Sequence, residues 1–316
     1  MEDEVIINVE HLTKDYGYGR GVFDVSIKVH KGECYGYLGP NGAGKSTTIR
    51  HIMGFSRPSK GKIEVFGKES FGNTDKILAK VGYLPGEPAI PSGLDGMGFL
   101  RMMQDMRGER NDERLNYLLD LYRLNPHVSV KEMSLGEKRK LAVVAAFMND
   151  PDVLILDEPT SGLDPVMQQV FIHFIIDEKK RGKTILLSSH IFSEVDATCD
   201  TISIIKDGVH VSTFKANDLK EGDVATYYVR FRKLEDAKKY AALKNPSFTV
   251  IELNEVRKIV TVKVKRDLYQ EFFTSLKGHN IAEFEEKPFT LQEYFMSFYK
   301  EEKTFGGLSG VEGNKK

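Results

Sequence analysis

Two cysteines, Cys34 and Cys199, are the only thiols in the 316 residues. They lie far apart in the chain and each sits in an apolar segment. The expectation is therefore two buried free thiols in a reducing compartment and no disulfide framework. An excess of charge is also missing: 45 basic against 46 acidic residues leave a net −1. That balance asks for neither nucleic acid nor an anionic membrane as the main partner. No run approaches about eighteen consecutive apolar residues, so no segment is expected to span a bilayer. The start, Met1 to Glu4, is acidic and lacks the basic-then-apolar plan of a signal peptide. The length suggests two domains, with a core large enough to keep water from a site.

What is present centres on Gly39-Pro40-Asn41-Gly42-Ala43-Gly44-Lys45-Ser46-Thr47. It fits the G-x-x-x-x-G-K-[ST] phosphate-binding pattern. Its glycines let the backbone turn its N–H groups inward as an anion nest, and the following helix points its positive end at the same place. Lys45 is placed to bridge β- and γ-phosphates, and the Ser46 hydroxyl to ligate Mg²⁺. Glu33 to Leu38 before it reads as a buried strand, the context the motif requires.

Further along, Val153 to Leu156 is an all-apolar strand that runs into Asp157-Glu158. Two carboxylates at the end of a buried parallel strand need a reason, since burying charge is costly. A magnesium ion supplies one for Asp157, and holding a water for in-line attack supplies one for Glu158. The bland alternative is exposure just past the strand. Thr184 to Ser189 is another buried strand, ending in His190, which is read as a polar contact to a γ-phosphate. Ser134 with Glu137 fits a capping box; the functional alternative is that this helix end, with the Gly136 N–H, binds an anion supplied from elsewhere. Asp164 and Pro165 read as N-cap and first residue of a helix running to about Arg181. Tyr16 lies in a turn between two alternating strands, Val5 to Val9 and Val25 to Val29. It either stacks on a base or packs on its own hairpin.

Residues about 87–148 carry helical spacing, with Phe99, Leu100, Met103 and Met106 and then Leu115, Leu118, Leu119 and Tyr122. They read as a helical subdomain inserted in the nucleotide core, and the methionines as packing. Asp207-Gly208 marks a hairpin turn. After about Lys220 the pattern becomes β-α-β-β-α-β, the split βαβ unit, followed by a helix from about Leu291 to Tyr299. This predicts a ferredoxin-like α+β domain over 221–300 without a catalytic cluster. Residues 301–316 are glycine-rich and are expected to be disordered.

The phosphate loop, Asp157-Glu158, Ser161 to Asp164 and His190 occur together and in this order. On those motifs the chain resembles the ATP-binding subunit of an ABC transporter, more closely the bacterial ABC-2 type. The resemblance covers about Val5 to Phe214 well and the C-terminal domain loosely. It implies an α/β P-loop NTPase over 1–220, made of a RecA-like core, an antiparallel β subdomain and the inserted helices. It implies that Tyr16 stacks on adenine, that Ser134 to Lys138 is the signature loop, that Glu158 is the catalytic carboxylate, and that Asp164 is a cross-dimer contact. ATP and Mg²⁺ are the implied ligands. A second nucleotide-binding subunit and a polytopic membrane permease are the implied partners, with no nucleic acid. The implied location is the inner face of the cell membrane, with export as the direction. A soluble ABC ATPase, or a weakly hydrolysing subunit paired with a competent sister, stays open as an alternative.

Two positions depart from the family's pattern. Gly86 stands where a Gln usually follows Leu-Pro, and the signature reads Ser134-Leu135-Gly136-Glu137 where Ser-Gly-Gly-Gln is usual. The expectation is that Gly86 is a flexible hinge and Glu87 a solvated or permease-facing residue.

Overall fold

The structure, a computed structural model, describes residues 4–220, 224–287 and 290–296. The tail expected over 301–316 and the end of the last expected helix lie outside them; residues 291–296 are helical. The chain divides into two compact units, residues 1–216 and 217–316.

In the first unit the elements run β1 (Val5–Asp15), β2 (Gly21–His30), β3 (Cys34–Leu38), α1 (Lys45–Ile52), β4 (Lys60–Val65), β5 (Lys68–Glu69), α2 (Thr74–Leu78) and β6 (Val81–Leu84). Then follow α3 (Gly96–Arg107), α4 (Asp112–Leu121), α5 (Leu135–Phe147), β7 (Val153–Asp157), α6 (Pro165–Lys180), β8 (Thr184–Ser189), α7 (Phe192–Thr198), β9 (Thr201–Lys206) and β10 (Val209–Lys215). A short α8 (Ala216–Lys220) leads out of it. One sheet has the order β5-β4-β1-β2-β10-β9-β3-β8-β7-β6. The block β9-β3-β8-β7-β6 is parallel, and β1, β2, β4 and β5 form an antiparallel arm. Every residue of β3, β7 and β8 is buried, which is why their sequences are apolar runs with little alternation.

Strand β1 runs well past the Val9 at which its alternation stops. The pairing with β2 shifts register between Val9 and Leu12 and again before Lys14, and His11 has φ 52°. Each bulge moves one residue to the wrong face, so the pairing continues while the period of two is lost. Helices α2 and α7, of five and seven residues, escaped the sequence reading because neither is long enough to show a helical period. The turn between β9 and β10 is as expected: Asp207 and Gly208 both have positive φ, 49° and 77°, as a two-residue type I′ turn requires.

Both cysteines are buried and free. Distance in sequence misled, however: helix α7 packs on β3 and brings Cys199 Sγ to 3.8 Å from Cys34 Sγ. That hydrogen bond, with burial, holds the Cys34 thiol well above its usual range.

The second unit contains β11 (Val224–Phe231), α9 (Leu234–Ala241), β12 (Phe248–Asn254), β13 (Ile259–Lys265), α10 (Tyr269–Ser275) and β14 (Ile281–Lys287). Its antiparallel sheet has the order β12-β13-β11-β14. Ala237 and Tyr240 of α9 and Phe272 of α10 share a buried cluster with Val229, Phe231, Val260, Val262 and Val264, and Tyr240 stacks on Phe248 with centroids 5.2 Å apart.

Candidate active site

The order β3-β8-β7-β6 sets four carboxyl ends side by side, where an open parallel sheet places its ligand crevice. Leu38 of β3 runs into Gly39, Ser189 of β8 into His190, Asp157 of β7 into Glu158, and Leu84 of β6 into Pro85-Gly86. Segments more than a hundred residues apart thus share one edge.

The phosphate loop needs its glycines on two grounds. Gly42 and Gly44 have φ 83° and 105°, a region L side chains avoid. A Cβ at Gly39 would lie 2.3 Å from the Ile205 carbonyl oxygen. The Gly208 N–H donates to the Ala43 carbonyl at 3.0 Å, so the β9–β10 turn props the loop from outside. Asn41, Gly42 and Ser46 are exposed, and Thr47 is half-buried. Lys45 is buried at 5% exposure, and its Nζ donates to the Gly39 and Pro40 carbonyls at 2.6 and 3.0 Å.

Glu158 is where these segments meet. Its Oε1 lies 2.9 Å from Lys45 Nζ, and its Oε2 2.6 Å from His190 Nδ1. Its φ is 49°, so a non-glycine residue sits in the left-handed region, a strain typical of functional positions. Its N–H donates to the Ser188 carbonyl at 3.1 Å. The Ser188 hydroxyl in turn donates to Asp157 Oδ1. Asp157 is buried, and its Oδ2 faces the loop after β6: a Cβ at Gly86 would lie 3.1 Å from it.

These residues fit a nucleoside triphosphate with Mg²⁺. The loop offers N–H groups and one buried ammonium, and Ser46 and Asp157 offer one hydroxyl and one carboxylate. Among the described residues no group of three or more His, Cys, Asp or Glu could hold a metal. A donor set of one hydroxyl, one carboxylate and phosphate oxygens is what Mg²⁺ accepts.

Ser134 and Gly136 open α5, whose start lies against Gly162, two residues before Asp164. Ser134 caps α5 in a complete capping box: its Oγ accepts from the Glu137 N–H at 3.2 Å, and Glu137 Oε2 accepts from the Ser134 N–H at 2.8 Å. A Cβ at Gly136 would meet only the Gly162 carbonyl oxygen, at 3.3 Å, and Leu135 beside it is 74% exposed. Asp164 Oδ1 caps α6, accepting from the Val166 and Met167 N–H groups at 3.0 Å each. Tyr16 follows β1 in the turn and is exposed, with Lys14 Nζ 5.8 Å from its ring centroid.

Two buried polar residues were missed. Arg139 on α5 is 2% exposed and reaches under both the Pro85-Gly86 and the Asp157-Glu158 segments. Its sequence signal was a charge on the stripe that continues through Ala142, Val143 and Ala146, all buried. Arg139 holds the Gly86 carbonyl at 3.0 Å, so the loop expected to hinge at Gly86 is tied through its backbone to α5. Glu87 next to it is exposed.

The other is Glu194 on α7, 1% exposed, which accepts a hydrogen bond from the Ser189 hydroxyl. Burial pushes its carboxyl up to about 7; the Glu158 charge adds to the shift, while the Ser189 and Thr160 hydroxyls and Arg139 oppose it. A carboxyl that holds its proton more tightly folded than unfolded favours the fold at low pH. That contribution is lost as pH rises from the ordinary 4.5 towards 7. Glu194→Gln cannot ionise, so its stability relative to the wild type should rise over this window, by on the order of 3 kcal/mol at the top. Denaturant unfolding at several pH values checks this; parallel curves for the two proteins would refute it.

The site can be compared with known proteins. The sequence model of the ABC transporter family matches residues 22–161. The bacitracin transport ATP-binding protein BcrA of Bacillus licheniformis is 34% identical over 271 residues, covering 84% of this chain and 87% of its own. Nod factor export ATP-binding protein I of Cupriavidus pinatubonensis is 32% identical over 224 residues, 69% of each chain. A solved ATP-binding subunit of an ABC transporter superposes with a TM-score of 0.63 at 30% identity, over 68% of this chain and 92% of its own.

Proposed function

The chain belongs to the ATP-binding subunits of ABC transporters, ATPases that drive transport, and from that premise we propose which residues do the work and with what partners. The observation that carries the reading is Glu158, which joins the phosphate-loop lysine on one side and His190 on the other.

In this reading the backbone of Gly39, Asn41, Gly42, Gly44 and Thr47 cradles the phosphates, and Lys45 neutralises them as a point charge. Ser46 and Asp157 hold Mg²⁺, which when bound offsets the charge on the phosphate oxygens. Glu158 polarises the attacking water. His190, hydrogen-bonded to Glu158 through Nδ1, presents its other nitrogen to the γ-phosphate. Tyr16, exposed beside Lys14, stacks on adenine. Lys45 makes its bonds to Gly39, Pro40 and Glu158 with one ammonium, so a triphosphate competes with Glu158 for it. Glu158 is then freed to turn towards water.

The domains are assigned as 1–220 for the ATPase, with the helical subdomain over 87–148, and 221–300 for an accessory domain. The β-α-β-β-α-β order and sheet order of the latter support a ferredoxin-like fold. Without a catalytic cluster among its described residues, it takes a regulatory or dimer-stabilising role. Substrate passage belongs to a permease on another chain: no helix among the described residues is long and apolar enough to cross a membrane. As the ATP-binding partner of such a permease, the subunit works at the cytoplasmic face. Two relatives are named for bacitracin transport and Nod factor export, which supports export as the direction.

The Ser134 cap and Leu135 are exposed at the chain's surface. That supports a C₂ pair in which each Ser134-Gly136 end closes the partner's ATP site. In a Glu158→Gln background, Mg-ATP should shift the protein to dimer on gel filtration. Adding Ser134→Arg should abolish that shift while each chain still binds nucleotide. Equal dimer with and without the Ser134 change would mean that the loop is a helix cap only.

A further inference from the structure

Arg139 is a buried cation with no direct ion pair among the described residues. A guanidinium has five N–H donors in a fixed plane, and here all five find main-chain carbonyls. Nη1 donates to Pro85 at 2.7 Å and Gly86 at 3.0 Å. Nη2 donates to Asp157 at 2.9 Å and to Glu158, and Nε to Pro159 at 3.0 Å. Burial pulls the group down to about 10, so it stays charged at neutral pH. Two of its partners lie in the loop after β6, and three in the segment that carries the metal ligand and Glu158.

We propose that Arg139 is a positioning residue that fixes Glu158 and passes movement of the Pro85-Gly86 loop to it through main-chain carbonyls. The proposal rests on the reading of Glu158 as the residue that activates water. Gly86 has no side chain to reach the site, so a motion of its loop can be felt there only through the backbone. The rigid fork of Arg139 is the part that spans both backbones. It also bears on the Glu158 carbonyl, in a residue already held at φ 49°, so a shift of the loop turns the peptide that aims the carboxylate. Lysine could not replace it, since an ammonium has three donors on one atom and cannot span five carbonyls.

The test uses the full chain, with Arg139→Met to remove the fork and keep apolar volume, and Arg139→Lys to keep charge. Equilibrium titration with a fluorescent ATP analogue should give affinities within about three-fold of wild type, while kcat falls by about 10²-fold in Arg139→Met, as displacement of a catalytic group by about 1 Å does. Because Arg139 acts through Glu158, adding Arg139→Met to Glu158→Gln should cost almost nothing further in kcat, whereas a merely structural role would make the two losses multiply.

For the loop, an environment-sensitive fluorophore is attached at Glu87→Cys, an exposed position, the native thiols being buried. It should respond to a non-hydrolysable ATP analogue in the parent and stay silent in the Arg139→Met chain although the analogue binds. Multiplying losses, or a probe response equal to the parent's, would overturn the proposal. If Arg139→Met does not give the parent's circular dichroism, the same two criteria are applied to Arg139→Lys. A wild type that binds ATP without hydrolysing it would instead sink the reading of Glu158.

Discussion

Glu158→Gln is expected to keep nucleotide binding and to lose turnover by about 10²–10⁴-fold, the range for removing a general base. The amide has the size and shape of the carboxylate, so the left-handed turn at 158 and its N–H bond to Ser188 should persist. What goes is the negative charge that in the proposed role polarises water and that sits 2.9 Å from Lys45 Nζ and 2.6 Å from His190 Nδ1. Lys45 then has one competitor fewer, so ATP should bind at least as tightly as in the wild type. ATP that is bound and not consumed favours whichever state binds it best, which makes a dimer persist. Phosphate release under single-turnover conditions, set beside equilibrium binding, measures both halves. Normal turnover would remove Glu158 from the catalytic role.

Lys45→Ala should fail one step earlier. The ammonium is buried, held by two loop carbonyls, and faces the Glu158 carboxylate. Alanine cannot make the charge-assisted bonds to phosphate oxygens proposed for this ammonium, and at roughly 1.5–3 kcal/mol for a bond to a charged group the affinity should drop by about 10–10²-fold. Removing it also leaves Glu158 half-buried at 16% side-chain exposure, with His190 as its one remaining ion-pair partner among the described residues. A lower melting temperature should accompany the weaker binding, since an uncompensated charge is left behind. Titration with a fluorescent ATP analogue measures the affinity. A dissociation constant within about three-fold of wild type would show that the backbone nest alone carries the phosphates.

The two units differ in how much of them could be read from the chain. In the C-terminal one, strands alternate and helices are amphipathic, so local period alone gave the order of β11 to β14 with α9 and α10. In the ATPase unit the same held for the buried strands, whose apolar runs are set by burial on both faces. It failed at β1, where bulges break the period, and at helices too short to have one.

By itself the sequence determined the chemistry on offer: a loop whose glycines and lysine suit phosphate, and a carboxylate pair, a histidine and a capped helix end at strand and helix termini. Each is a local pattern, legible because backbone conformation and charge are properties of a few adjacent residues. Only the tertiary structure decided which of these meet. The strand order β3-β8-β7-β6 puts Lys45 and His190 both against Glu158 and sets Gly86 against Asp157. The same packing brings Cys34 to Cys199 and buries Arg139 and Glu194 beneath the loops. No spacing announces those contacts, because pairing of distant strands is chosen by the burial of whole faces and not by any residue's neighbours in the chain.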